Sequence, residues 1–492
     1  MRNFAAKLKD LWRFIYMDYI FEAVSPRLQY PGIALDNPHG VKIAAGRMHA
    51  IIGPNGAGKT SLANILARGW NFGLNKIVGD RKNLSIKVLE FTDIHTLSGC
   101  RDTYYQQRFE ATMNDDMPTV GSLIEGKAGR DTWRAICNHL NLNDIESKSL
   151  NSLSSGELRK FLIANALSET PNVLFLDNPY IGLDAGSRQL LNDLLQRLSA
   201  DGTAIVLLLC NPDDLPEFVD YVIPMSQCRI LPTIDVKSTG VDAARTAVGK
   251  LFATRTLGEI PVGERPTANF DVAFSLNDCR VCYGKTVILD HVDWTVRHGE
   301  RWALLGPNGS GKSTLLSLVC ADNPQSYCND ITIFDRRRGS GESIWDIKRR
   351  IGFLSPEIHL YFREARNVKA VVAAGLRDTV GMFGNEPAHN IEIAARWLDA
   401  FGIAHLAERR FTTLSAGEQR LVLLVRTLIK QPEMLILDEP LHGLDAPTKR
   451  LARTAIEAVT ARTDATLVYV THYESEIPSL VTKTKRIEKI KG

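Results

Sequence analysis

No run of 18 or more apolar residues occurs in the 492 positions, so no segment reads as a transmembrane helix. The chain also lacks a dominant sign of charge. Its 59 Lys and Arg against 56 Asp and Glu leave a net +3, which gives no bulk argument for nucleic acid. Cysteine is sparse: 8 residues without disulfide-framework spacing suit a reducing cytosol better than a disulfide scaffold. The one close pair, Cys279 and Cys282, has no second pair nearby. It lies in a strand-like stretch, where side chains three apart point to opposite faces, so neither a metal nor a redox role is expected. The start has no uninterrupted apolar stretch of the signal-peptide kind. Phe4, Leu8, Leu11, Trp12 and Ile15 recur at helical spacing, but Lys7, Lys9, Asp10 and Arg13 break the run. Met1 to Glu22 therefore reads as a helix packed on the first domain, with an amphipathic lid or membrane-surface helix as the alternative. A hydrophobic content of 44% and a mean hydropathy of −0.10 fit a large soluble protein of about two to four domains.

What the chain does contain is duplicated. Gly53-Pro54-Asn55-Gly56-Ala57-Gly58-Lys59-Thr60 and Gly306-Pro307-Asn308-Gly309-Ser310-Gly311-Lys312-Ser313 are two phosphate-binding loops 253 residues apart. In such a loop Gly53, Asn55, Gly56 and Gly58, or Gly306, Asn308, Gly309 and Gly311, let backbone N–H groups turn inward around phosphates. Lys59 or Lys312 reaches the outer phosphates, and the hydroxyl of Thr60 or Ser313 ligates Mg²⁺; Ser61 and Thr314 follow in the same turn. Met48 to Ile52 and Trp302 to Leu305 read as buried strands before the loops. Leu62 to Ala67 and Leu315 to Val319 read as helices after them, so the phosphates would sit at helix N-termini. Two loops at this distance indicate a tandem duplication.

Further elements repeat in the same order. Leu153-Ser154-Ser155-Gly156-Glu157 matches Leu414-Ser415-Ala416-Gly417-Glu418. Each precedes an apolar strand ending in acid by 24 residues: Val173 to Asp177, and Met434 to Asp438. Equal spacing predicts the same intervening helix, Leu158 to Ser168 and Gln419 to Lys430. Gly182-Leu183-Asp184 and Gly443-Leu444-Asp445 follow. This set resembles the ATP-binding cassette superfamily over nearly the whole chain. The resemblance implies an α/β fold of two tandem P-loop NTPase domains, each a RecA-like sheet core with an inserted helical subdomain, at roughly 95–155 and 357–415. The domains would be 1–231 and 271–492, joined by a linker at 232–270. The run Arg336-Arg337-Arg338-Gly339-Ser340-Gly341-Glu342-Ser343-Ile344-Trp345-Asp346-Ile347-Lys348 resembles more narrowly a bacterial tandem ATPase family of the molybdenum-transport or photorepair type. Asp322-Asn323-Pro324-Gln325 and Leu215-Pro216-Glu217-Phe218 fit that family too. The arginines read as a solvated turn or as a phosphate or partner contact. Ribosome-acting tandem cassettes resemble this architecture as well, but carry a long basic helical linker. Here Lys237, Arg245, Lys250, Arg255 and Arg265 face Asp235, Asp242, Glu259 and Glu264, 5 against 4, in a stretch partly broken by Gly and Pro.

The resemblance also assigns roles. Two cassettes pair head to tail, as an intramolecular dimer here, and each ATP lies between the loop of one half and the signature of the other: Ser154, Ser155, Gly156 and Glu157, or Ser415, Ala416, Gly417 and Glu418. The second-half site carries the full set: Lys312, Ser313 and Asp438 for Mg-ATP, Glu439 to polarise the attacking water, His472 for the γ-phosphate, and Tyr283, 23 residues before its loop, to stack on adenine. The first-half site holds Lys59, Thr60, Asp177 and Tyr30. After the acid, however, stands Asn178, whose neutral amide cannot take a proton. Cys210 aligns with His472. That site is expected to bind ATP without hydrolysing it, unless Asp213 or Asp214 substitutes. Transport cassettes have a glutamine leading into the helical subdomain. Here Glu357, in Ser355-Pro356-Glu357, or Asp93, after Thr92, would ligate the metal's water shell.

The expected protein is thus a cytoplasmic ATPase with ATP and Mg²⁺ as cofactors; peripheral residence on the cytoplasmic face of the inner membrane is the alternative. Closure on ATP and opening after hydrolysis would drive separate integral membrane subunits of a transport system, or else act on ribosome, nucleic acid or protein, or serve as a slow regulatory switch.

Overall fold

Both halves build the same parallel sheet from corresponding strands. In the first half the order is Ile86–Leu89, Val173–Asp177, Ala204–Leu209, Met48–Ile52 and Tyr221–Ser226. In the second it is Ile351–Leu354, Met434–Asp438, Thr466–Val470, Arg301–Leu305 and Lys483–Arg486. These neighbours are all parallel. Helices cover both faces, so the strands read as continuous apolar runs rather than alternating ones; Met434–Asp438 and Thr466–Val470 are buried throughout. The computed structural model describes residues 19–31, 33–68, 77–79, 84–90, 119–124, 130–142, 145–148, 153, 155–181, 183, 185–263, 269–284, 286–362, 364–377 and 386–490.

Each half adds an antiparallel layer, built differently. The second half uses two long strands, Val272–Tyr283 and Thr286–Arg297, joined by Asp330–Ile333 and Arg336–Arg337. The first half divides the same hairpin into short pieces: Phe21–Ala23 pairs with Val41–Ile43, and Arg27–Tyr30 with Ile33–Asp36. Pro26 and Pro38 stand at the two breaks. Proline has no N–H for a ladder, which accounts for the interruption. At the corresponding place the second half bends through Asp278 and His291, at φ +49° and +48°.

The helices follow the predicted order. Lys59–Arg68 and Lys312–Val319 leave the two loops; Ser155–Leu167 and Ala416–Ile429 begin inside the signatures; Ala185–Ala200 and Ala446–Thr463 follow the acidic strands. Ser415 and Glu418 form a reciprocal capping box that fixes where Ala416–Ile429 starts. Asp445 caps Ala446–Thr463 through the Thr448 N–H. Helices at Val120–Ile124 and Arg130–His139, and at Pro356–Tyr361, Val368–Ala373 and Ala388–Ala400, occupy the stretches assigned to the helical subdomains. Among the described residues no helix is long and apolar enough to cross a membrane.

Two expectations change, and the linker gains detail. Residues 1–18 of the expected N-terminal helix lie outside the described residues, and its last two, Phe21 and Glu22, are strand, because Ala23 and Phe21 bury into the antiparallel layer. The linker contains two helices, Val236–Thr239 and Val241–Gly249. Val236, Ala244 and Val248 are buried in the first-half core, whereas Ile260 is buried in the second; Gly258 N–H donates to Ala400 O at 2.7 Å. Arg338 is not part of a solvated turn. Its side chain is 1% exposed and pairs with Glu342, while Arg336 and Arg337 stay exposed.

Candidate functional site

The two loops have nearly the same shape. Gly56 and Gly58 sit at φ +77° and +91°, Gly309 and Gly311 at +74° and +92°. These are left-handed conformations that L side chains rarely adopt. Lys59 Nζ donates to Gly53 O at 2.7 Å and Pro54 O at 2.9 Å, and Lys312 Nζ to Gly306 O and Pro307 O at the same two distances. Each ammonium is thus folded across its own loop, at the N-terminus of the following helix. Burial lowers the pKa of Lys59. Thr60 Oγ1 donates to Asp177 Oδ2 at 2.7 Å, and Ser313 Oγ to Asp438 Oδ2 at 3.5 Å.

The donor set fits Mg²⁺ and a polyphosphate. Glu357, Asp438 and Glu439 are all buried around the second loop. Burial first, then Glu357 and Glu439, raise the pKa of Asp438 well above the usual carboxylate range. Acids crowded in this way favour a hard divalent cation. Mg²⁺, when bound, would neutralise charge on the phosphates.

The halves differ one residue beyond the acid. Strand register aligns them: Ile51 pairs Leu208 and Asp177 pairs Leu208, as Leu304 pairs Val470 and Asp438 pairs Val470. Cys210 therefore occupies the position of His472, and Asn178 that of Glu439. Asn178 and Glu439 even share backbone geometry, at φ +46° and +49°, with N–H donating at 2.9 Å to Leu208 O and Val470 O. Their side chains do not behave alike. Asn178 Nδ2 donates to Asp177 Oδ1 at 2.7 Å. Glu439 Oε1 lies 2.7 Å from His472 Nε2, and its Oε2 contacts His442 Nδ1. Burial pushes the Glu439 carboxyl up, but His442, then His472 and Lys312, outweigh it and hold the group below its ordinary pKa. Cys210 is pushed up to about 12, chiefly by burial, and remains a thiol.

The halves meet head to tail at the first loop. Asn55 N–H donates to Asp445 Oδ2 at 2.9 Å, and Asn55 Nδ2 to Gly443 O at 3.2 Å. A Cβ on Gly417 would fall within 2.9 Å of Asn55 Oδ1 and closer still to the rest of its amide. A Cβ on Gly56 would lie 3.2 Å from Glu418 Oε1. The second-half signature thus abuts the first-half loop. On the other side of the contact Asn211 Nδ2 donates to Leu444 O at 3.2 Å, and Tyr473 OH to Leu183 O at 3.3 Å. A cavity of about 330 Å³ lies there, lined by Cys210, His442, Arg188 and Lys449.

Other sequence-predicted residues fall as follows. Ser154 and Asp93 lie outside the described residues, as do the side chains of Ser155 and Gly156. Tyr30 and Tyr283 close the corresponding hairpins, and Tyr283 OH accepts from Asn323 Nδ2 at 3.0 Å. Cys279 is fully buried and Cys282 only half-buried. Asp214 pairs with Arg188 at 2.7 Å and Asp213 is exposed. Sequence reasoning missed His442, Arg420 and His359. The signal for His442 was present: Leu441-His442-Gly443 aligns with Tyr180-Ile181-Gly182, so a histidine accompanies the half that has the glutamate.

Two P-loop NTPase units, fused and facing, define the class. Comparison with known proteins agrees: the ABC transporter family matches residues 37–181 and 289–442. The chain belongs to that family, as a tandem-cassette ABC ATPase. It is 35% identical over 472 residues to the ABC transporter ATP-binding protein ModF of Escherichia coli, covering 92% of each chain. An uncharacterized ABC transporter ATP-binding protein of Schizosaccharomyces pombe is 28% identical over 464 residues, with 89% of this chain and 92% of that one covered. In solved structures the fold is similar to that in ribosome-bound archaeal Pelota and ABCE1, at a TM-score of 0.56 and 18% identity over 89% of this chain and 71% of that one. RNase-L Inhibitor gives 0.52 and 18% over 93% and 86%.

Proposed function

We propose that the protein is an asymmetric ATPase motor: both halves bind Mg-ATP, the second half hydrolyses it, and the first half retains it. The observation that carries this reading is the contrast between Glu439, gripped by two imidazoles, and Asn178, whose amide is turned onto Asp177 beside the Cys210 thiol. Glu439 supplies a carboxylate able to accept a proton from water, and His472 a ring N–H within reach of the same pocket. Lys59, Thr60 and Asp177 suffice to hold nucleotide, but the first half has no base. The proposed units are 1–231, the linker 232–270 and 271–492. Closure at the Asn55–Gly417 contact is the stroke, transmitted by the helical subdomains to separate integral membrane subunits at the cytoplasmic face. The similarity to ModF supports transport; the lack of a glutamine after Leu354 supports a soluble mechanochemical ATPase instead. Glu439→Gln protein, held in Mg-ATP and isolated from detergent-solubilised cells, separates the two. Stoichiometric membrane subunits are expected. Ribosomes, nucleic acid or soluble proteins without a membrane subunit would overturn the transport assignment.

A further inference from the structure

Glu439 is held from both sides. His472 Nε2 lies 2.7 Å from Oε1 and His442 Nδ1 contacts Oε2, and all three side chains are at most 8% exposed. Only one of the two histidines is expected to face the γ-phosphate. The other, His442, lies three residues beyond Glu439 in the segment that meets the opposite half.

That segment is itself tied down. Arg420 Nη1, from the helix that begins in the signature, donates to His442 O. Arg420 Nε donates to His359 Nδ1 at 3.3 Å, and His359 Nε2 lies 2.9 Å from Gln419 Oε1. Arg420 Nε can only donate, so His359 accepts at Nδ1 and donates from Nε2 to the Gln419 amide oxygen. His442 turns its Nδ1 to Glu439 Oε2. His359 belongs to Pro356–Tyr361, the first helix of the second helical subdomain. Hydrogen bonds therefore run from that subdomain through His359 and Arg420 to the backbone of His442, whose ring lies against Glu439.

The duplicated half is an internal control. Where Glu439 is replaced by Asn178, His472 is replaced by Cys210 and His442 by Ile181. The carboxylate and both of its imidazoles are present or absent as a set. An isoleucine at that position shows that the turn itself does not need a histidine.

We propose that His442 is a positioning residue for hydrolysis: it fixes Glu439 through Oε2 when His472 turns to the γ-phosphate, and Arg420 with His359 links this clamp to the helical subdomain. A carboxylate held by one oxygen keeps the other free for water. Without His442 it would lose its orientation whenever His472 left it, and small misplacements of a general base carry large rate penalties. The proposal rests on Glu439 being the base.

Steady-state ATP hydrolysis by the full chain tests it. His442→Ile, the residue the first half uses, should lower kcat by about tenfold to a hundredfold with little change in KM. His442→Gln, which keeps a donor at similar reach, should recover most of that loss. His359→Leu should lower kcat in the same direction by a smaller factor, and should have no further effect in the His442→Ile background, since both act through one chain. Thermal melts of each variant exclude unfolding. Full kcat in folded His442→Ile, or equal losses in His442→Ile and His442→Gln, would overturn the positioning role. Glu439→Gln is measured alongside. If it keeps its turnover, Glu439 is not the base and the underlying reading fails; if it is dead while His442→Ile is fully active, only the positioning role fails.

Discussion

Gly417→Ala should separate folding from closure. Gly417 lies in the first turn of Ala416–Ile429 and has no left-handed φ, so alanine adds no backbone strain there. Alanine improves helix propensity by about 1 kcal/mol, so the second half should be no less stable. The new methyl, however, would enter the Asn55 side chain, within 2.9 Å of Oδ1 and closer to the rest of the amide. Asn55 must then move, and its 3.2 Å bond to Gly443 O must break. Overpacking costs about 1–3 kcal/mol, and the lost bond about 1 kcal/mol. The closed form should thus weaken by about 2–4 kcal/mol, roughly 30-fold to 1,000-fold in its equilibrium. Small-angle scattering across an ATP titration reads closure, and a thermal melt reads stability. Gly417→Ala should melt at or above the wild-type temperature while needing far more ATP to compact. A stable variant that closes at the wild-type ATP concentration would refute the head-to-tail contact at the first loop.

Other outcomes follow from the same geometry. Asn178→Glu alone should add little turnover, because Ile181 offers the new carboxylate no donor and the Cys210 thiol only a weak one; adding Ile181→His and Cys210→His should raise phosphate release measurably above wild type in a coupled assay. Glu342→Ala strands Arg338, whose side chain is 1% exposed, and should destabilise the second half by about 3–5 kcal/mol in urea melts followed through exposed Trp345. Acid should unfold the chain through its neutral buried histidines. Burial lowers His49 from 6.5 to about 4. The unfolded imidazole binds a proton below pH 6.5 and the folded one does not until about 4, so stability falls as pH drops through that window. His49 contributes about 3 kcal/mol of that loss, and His49→Gln should flatten the pH dependence of urea midpoints between pH 6.5 and 4.

Most of the parallel core was legible because it depends on local chemistry. The two loops, the two signatures and the two acid-ended strands carry their geometry in short motifs, and the strand Met48–Ile52 and the helices after both loops fall where apolar runs place them. The antiparallel layer of the first half was not legible, since the effect of Pro26 and Pro38 depends on which strands they would have paired. The docking of the linker was not legible, because charge balance says nothing about it; Val248 and Ile260 are buried against different halves only once both cores exist. In the site, Asn178 and Cys210 could be read by aligning one half with the other. The grip on Glu439 could not, because His359, Arg420 and His442 are dispersed along the chain and converge only in three dimensions. Arg338 was read as exposed because three successive arginines suggest solvent, and only its pairing with Glu342 turns it inward.

The central claim is that one half hydrolyses and the other only holds. Steady-state ATP turnover of Glu439→Gln, measured beside Asn178→Ala in the same preparation series, tests it most directly. The account predicts near-complete loss in Glu439→Gln, with ATP still bound, and turnover close to wild type in Asn178→Ala. Retained turnover in folded Glu439→Gln, or its loss in Asn178→Ala alone, would contradict it.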